Sequence, residues 1–206
     1  MTGRSNAAAD GDARTRRLLD AAFAVFMKNG FDKSSMSDVA SAAGVSRPTL
    51  YRSFSTKEEL FLGVVSRLHN DAHAAYSAAA GSDGDLATRL AAMATAKLTA
   101  HIDVARSSPH GADLLDLNQR IAGDLAAAAN TDFAKLVADV LKDVDSTEID
   151  LTANDLSPTR AAVIVVSVID GWKQRIMNDG ATPKRWKRDV HEAMSVVVRG
   201  LGKPVS

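Results

Sequence analysis

Apolar residues recur along this chain at three- and four-residue spacing and nowhere in sustained alternation, so every element they predict is a helix. Leu18, Leu19, Ala22, Phe23 and Phe26 mark one face of a helix over 12–29, and Gly30 stops it. A short helix follows over 38–43, with Ser35 or Ser37 as its N-cap. Gly44 breaks the pattern. Ser46 then caps a third helix that ends near Ser53 or Phe54 and carries Pro48 in its first turn, where a missing N–H costs little. Ser55 or Thr56 caps a fourth, which runs to about Ala79 with Glu58 and Glu59 against the positive end of its dipole.

The clearest break is Gly81-Ser-Asp-Gly-Asp85. Beyond it the spacing predicts an alanine-rich helix over about 86–106, a turn at Ser107-Ser-Pro109, and a helical pair or one kinked helix over about 111–144. A polar loop over 146–157 precedes two last helices, about 158–178 and 183–200. The expectation is an all-α chain of about nine helices without repeats. Residues 1–11 read as a disordered tail: they lack the apolar stretch of a secretory signal. No run reaches the roughly 18 apolar residues of a membrane helix, so no membrane partner is expected. With no cysteine there is no disulfide framework, thiol nucleophile or thiolate metal site. A cytoplasmic location suits these features.

Charge adds little. Lys and Arg number 25 against 25 Asp and Glu, and over 12–62 there are eight basic against six acidic residues, a net of +2. Any nucleic-acid footprint must therefore rest on the placement of a few cations.

That placement occurs between Phe31 and Phe54. Two very short helices meet at Gly44, a position free of Cβ strain, and neither is long enough to stand alone. At 100° per residue Leu50 and Phe54 share an inward face with Val39, Ala40 and Ala43 of the bracing helix, leaving Pro48 and Arg52 opposite and Thr49 and Tyr51 on the flanks. A helix-turn-helix has this layout, its second helix entering the major groove. The motifs Gly30-Phe31, Ser35-Met-Ser-Asp-Val39-Ala40, Ala43-Gly44-Val45-Ser46, Leu50-Tyr51-Arg-Ser-Phe54 and Lys57-Glu58-Glu59-Leu60 together resemble the TetR family of bacterial transcriptional regulators over about 12–62. Many members carry Gly or Ala where Pro48 stands.

The resemblance implies a DNA-binding domain over 12–62, its helix-turn-helix at 35–54, and a ligand-binding and dimerisation domain over 63–206. It implies DNA contacts from Ser37, Ser46, Arg47, Pro48, Thr49, Tyr51, Arg52 and Lys57. Arg47 and Thr49 would face bases or phosphates, Tyr51 would donate to a phosphate, and Lys57 would clamp the backbone together with the N-terminus of the fourth helix. Ordinary alternatives stand beside these roles: Tyr51 and Phe54 as core aromatics, Ser46 as a cap, Arg47 and Arg52 as solvated surface. Arg14, Arg16 and Arg17 either reach phosphates or line a wet face.

The remainder shows no catalytic framework, and no enzyme activity, cofactor or metal is expected. His69 and His73 share a helical face without a third ligand in sequence, and His101, Asp103 and His110 flank the turn at Pro109. The resemblance places an effector pocket in the later helices, for which Met93, His101, Leu114, Leu117, Asn118, Phe133, Val137 and Trp172 are candidates. The helix over 158–178 is apolar nearly all round, more than one core needs. Val163, Val166 and Ile169, with Trp186, Val190, Met194 and Val197 of the last helix, are therefore expected in a four-helix dimer interface, a buried monomeric core being the alternative. The expected function is a regulator, a repressor by family habit, that binds a palindromic operator in double-stranded DNA as a homodimer and is released by a small-molecule effector. A ligand-binding protein of the same fold without operator binding is the rival.

Overall fold

A computed structural model of the chain describes residues 3–144 and 148–201, with side chains from residue 11 onward. Among the described residues there are nine α-helices and no strand: α1 (Gly3–Asn29), α2 (Met36–Ala42), α3 (Arg47–Tyr51), α4 (Lys57–Ala80), α5 (Leu86–Arg106), α6 (Gly111–Ile121), α7 (Gly123–Lys142), α8 (Pro158–Asp179) and α9 (Pro183–Leu201). The all-α expectation holds, and α5 begins and ends where its pattern does. The region over 111–144 is a helical pair, divided at Ala122. The described part of the expected tail, 3–11, is helical backbone; Ala7, Ala8, Ala9 and Ala13 are strong helix formers with no proline to interrupt them. Within the expected polar loop, 146–147 lie outside the described residues and Thr152–Asn154 forms a 3-10 turn.

The helices gather into two compact units. One holds the chain up to Asn70 together with Asp103–Ala126; the other holds Asp71–Ile102 and the chain from Ala127 onward. The division thus falls inside α4 rather than at residue 62, and α6 joins the N-terminal helices. The reason is its apolar stripe: Leu114 and Leu117 bury into the same core as Leu18, Phe26, Val39 and Leu50. Ser108 secures the approach to α6 by donating to the Met27 carbonyl at 2.6 Å. Gly111 allows the chain to fold back there. A Cβ at that position would lie 2.0 Å from the Val104 carbonyl oxygen and 2.8 Å from that of Ala105.

The second unit centres on Leu90, Met93, Leu98, Phe133, Val137, Val165, Ile169, Trp186, Val190 and Met194. Tyr76 packs edge-on to Phe133 at 4.9 Å between centroids. Glu148 caps α5 by accepting from the Leu86 N–H at 2.8 Å, and Ser157 caps α8 by accepting from the Arg160 N–H.

Candidate nucleic-acid interface

Each piece of the Phe31–Phe54 window is fixed by a local polar device. At the start of α2, Ser35 accepts from the Asp38 N–H while the Asp38 carboxylate accepts from the Ser35 N–H and hydroxyl, a reciprocal capping box. The Ser35 hydroxyl and amide hold the Asp38 carboxyl below its usual range. The end of α2 is a Schellman motif: the Val45 N–H reaches the Ala40 carbonyl at 3.0 Å and the Gly44 N–H reaches that of Ser41 at 3.2 Å. Gly44 takes φ +65°, which a side chain would disfavour. Ser46 then caps α3 through the Thr49 N–H. The turn between the two helices is thereby closed by hydrogen bonds within the window itself.

The result is a five-residue helix with one buried anchor. Leu50 is fully buried, whereas Arg47, Pro48 and Arg52 are exposed and Tyr51 is 44% exposed. Tyr51 is therefore outside the core, and Phe54 is half-buried against it. Arg47 has no hydrogen-bond or ion-pair partner among the described residues. Arg52 donates to the Thr49 hydroxyl at 3.1 Å, which in turn pairs with the Ser46 hydroxyl at 2.9 Å, so these three side chains form one surface network. Ser37 is half-buried in the first turn of α2, where Ser35, not Ser37, is the cap. Arg14, Arg16 and Arg17 are all exposed.

Lys57 departs from expectation. Its ammonium donates to the carbonyls of Phe31 at 2.8 Å, Ser34 at 3.0 Å and Asp32 at 3.4 Å, and lies 4.3 Å from the centre of the Phe31 ring. A cation with its three protons so engaged is a brace for the α1–α2 turn, not a ready phosphate clamp. Nothing in the local sequence signals this, because the partners are 23–26 residues away. The first turn of α4 is instead capped by Thr56, which accepts from the Glu59 N–H at 3.0 Å. Arg67 ties α4 to α1 through Asp20 at 3.1 Å.

The expected effector residues do not form one group. Met93, Phe133 and Val137 lie in the core of the second unit, with Trp172 packed on it. Leu114 and Leu117 belong instead to the N-terminal core, where α6 carries them, and Asn118 is on the same helix. His101 is half-buried in the second unit, and burial followed by Lys173 and Lys97 pushes its pKa down to about 4. His73 pairs with the Ser77 hydroxyl at 3.3 Å and meets Tyr76 edge-on.

The expected interface residues also divide. Ile169, Trp186, Val190 and Met194 are buried within their own chain, so they are unavailable to a partner. The four-residue spacing from Trp186 to Met194 makes a single stripe, and the protomer's own core uses it. Val166 and Val197 are half-buried. Val163 is 51% exposed, and Ile164 on α8 and Val196 on α9 are also exposed large apolar residues.

The sequence profile of bacterial regulatory proteins of the tetR family matches residues 18–64, a span that contains α2, α3, their turn and the Lys57 brace. Residues 18–64 thus carry a domain of the TetR family. The chain is similar to the HTH-type transcriptional activator FasR of Mycolicibacterium smegmatis, 46% identical over 56 residues, 27% of this chain and 26% of that protein. It is also similar to the DNA-binding transcriptional repressor TetR of Mycobacteroides abscessus, 33% identical over 125 residues, 56% of this chain and 63% of that one. The matched portions thus span less than two thirds of these relatives. A solved TetR-family regulator from Pectobacterium atrosepticum superposes over 96% of this chain and 98% of its own at a TM-score of 0.68 and 18% identity, a likeness of fold.

Proposed function

We propose that this TetR-family chain regulates transcription by binding a palindromic operator as a homodimer, and that a small-molecule effector favours the state that leaves DNA. The observation that carries the reading is α3, a pre-capped five-residue helix whose single buried anchor is Leu50 and whose outward side is Arg47, Pro48, Tyr51 and Arg52. So short a helix contributes little to a core; its outward side chains are groups that contact phosphates and base edges. Arg47, without an internal partner, is assigned to a base edge, and Tyr51 to a phosphate. Lys57 supports the interface from behind.

Dimerisation is assigned to the outward face of α8 and α9. Val163 and Ile164 are exposed on α8, Ser167 and Gly171 follow one and two turns beyond Val163, and Val196 is exposed on α9. A Cβ on Gly171 would meet nothing within 4 Å, so that position is open to close approach by a second helix. The small-molecule effector is assigned to the second unit. A repressing role is proposed on the strength of opposition between effector and operator; the similar proteins include both an activator and a repressor.

Selection from random duplexes tests the reading. The expected product is a palindrome whose half-sites lie about one helical turn, roughly 34–36 Å, apart. The Val163→Arg/Ile164→Glu variant should sediment as a monomer and lose that preference. Recovery of no palindrome, or of a single half-site by a monomeric wild type, would contradict it.

A further inference from the structure

The second unit carries a group of charged side chains that its fold does not require. Lys97 and His101 lie one turn apart on α5 and therefore share a face. Lys97 is half-buried, and its ammonium has two neighbours: the Asn130 side-chain oxygen at 2.8 Å and the Phe133 ring at 4.6 Å from its centre, both supplied by α7. No carboxylate comes within 4 Å of it among the described residues. Across from α5, α8 brings Asp170 and Lys173, which are 3.9 Å apart and close enough to act electrostatically on both α5 side chains. His101 is half-buried, and its ring has no hydrogen-bond partner among the described residues.

The charges do not balance. Two ammonium groups and an imidazole face one carboxylate, which is itself about half exposed. Burial depresses the Lys97 pKa despite Asp170, and Lys173 adds to the depression. If Lys97 served only to cover Phe133, an uncharged side chain of similar length would do so without the desolvation of an ammonium. It would also leave the convergence of His101 and Lys173 on the same spot without a role. The apolar neighbour at this spot is the Phe133 ring beneath the Lys97 ammonium, itself part of the core.

We propose that Lys97, Lys173 and His101 receive the carboxylate of a small organic acid, so that the effector is a monoanion on an apolar body. The net charge of the two lysines and Asp170 is +1, which one carboxylate neutralises. Lys97 and Lys173 supply ammonium donors, Asn130 holds the Lys97 head in place, and His101 supplies a ring N–H. This assignment rests on the reading of the second unit as the effector-binding part, and names the chemistry recognised there.

Octanoate, octanamide, octylamine and octyl phosphate, titrated against the full chain without DNA and followed by calorimetry, share one apolar body and differ in charge. Octanoate should bind at least tenfold tighter than the amide or the amine, and no more weakly than the phosphate. Lys97→Met and Lys173→Met should each reduce octanoate affinity about tenfold and leave octanamide unchanged, with thermal melts showing that both variants fold. Equal affinity for octanoate and octanamide, tenfold tighter binding of octyl phosphate, absence of octanoate binding, or a carboxylate preference that survives in the double Met variant would overturn the proposal. DNA release is scored separately on a selected operator. Tight, lysine-dependent octanoate binding without release would sustain the carboxylate site and defeat the effector reading; release by the amide as readily as by octanoate would do the reverse.

Discussion

The two units of this chain solve different problems with the same element. In the N-terminal unit the helix α3 has five residues, and polar devices fix it: Ser35 with Asp38, Gly44 with Val45, Ser46 with Thr49, and Lys57 on three carbonyls. In the second unit the helices of the core are long and held by burial, and α5 and α7 are alanine-rich. Where geometry must be kept with little surface to bury, hydrogen bonds specify it. Where surface is plentiful, packing suffices, and half-buried polar groups such as Lys97 and His101 mark a different demand.

The comparison can be broken at four places, taken from the largest expected effect down. Gly111→Ala should be the most severe, because its Cβ would meet backbone oxygen rather than a movable side chain. A loss of about 3 kcal/mol or more is expected by chemical denaturation. Gly171→Ala, with open space at its Cβ, should be neutral or stabilising and serves as the control.

Lys57→Met comes next. It keeps the stem over Phe31 but strips donors from the carbonyls of Phe31, Asp32 and Ser34, and about 2 kcal/mol should be lost. Amide exchange should quicken in the α1–α2 turn in the absence of DNA. A phosphate clamp would instead leave the free protein unchanged and weaken only its complex.

His101 sharpens the contrast from the other side. Its imidazole takes up a proton near pH 4 when folded but near 6.5 when unfolded, so the unfolded chain binds the extra proton between those values. Stability should therefore fall as pH drops from about 6.5 toward 4, by about 2 kcal/mol after allowance for solvent screening, and His101→Gln should flatten that portion of the profile. The smallest effect is expected at Ser46→Ala: loss of the α3 cap should cost about 1 kcal/mol, visible as faster amide exchange at Thr49.

Much of the first unit was legible from residues near one another in sequence. Gly30, Gly44, Ser46 and Pro48 act within four residues of themselves, so the chain announces the helix ends and the turn directly. The bracing role of Lys57 depends on partners more than 20 residues away, and the place of α6 in the N-terminal unit depends on Ser108 reaching Met27 across 81 residues, so neither is signalled locally. In the second unit, periodicity identified α8 and α9 as apolar but could not say which side faced inward. Burial of Ile169, Trp186, Val190 and Met194 settles that for the protomer, and shifts the outward face to Val163, Ile164 and Val196. The Lys97–Lys173 group was invisible for the same reason: three helices supply it.

The central claim is that α3 is a prebuilt reader of DNA on a chain with no net charge. The most direct test is the salt dependence of binding to a selected palindrome and to random duplex, for wild type and Arg47→Ala. The slope of log affinity on log salt should be about −5 to −9 for the wild type, from six to ten phosphate contacts per dimer. Arg47→Ala should reduce palindrome affinity by about 1–3 kcal/mol and leave random-duplex affinity nearly unchanged. A flat salt response, or equal losses of Arg47→Ala on both duplexes, would contradict it.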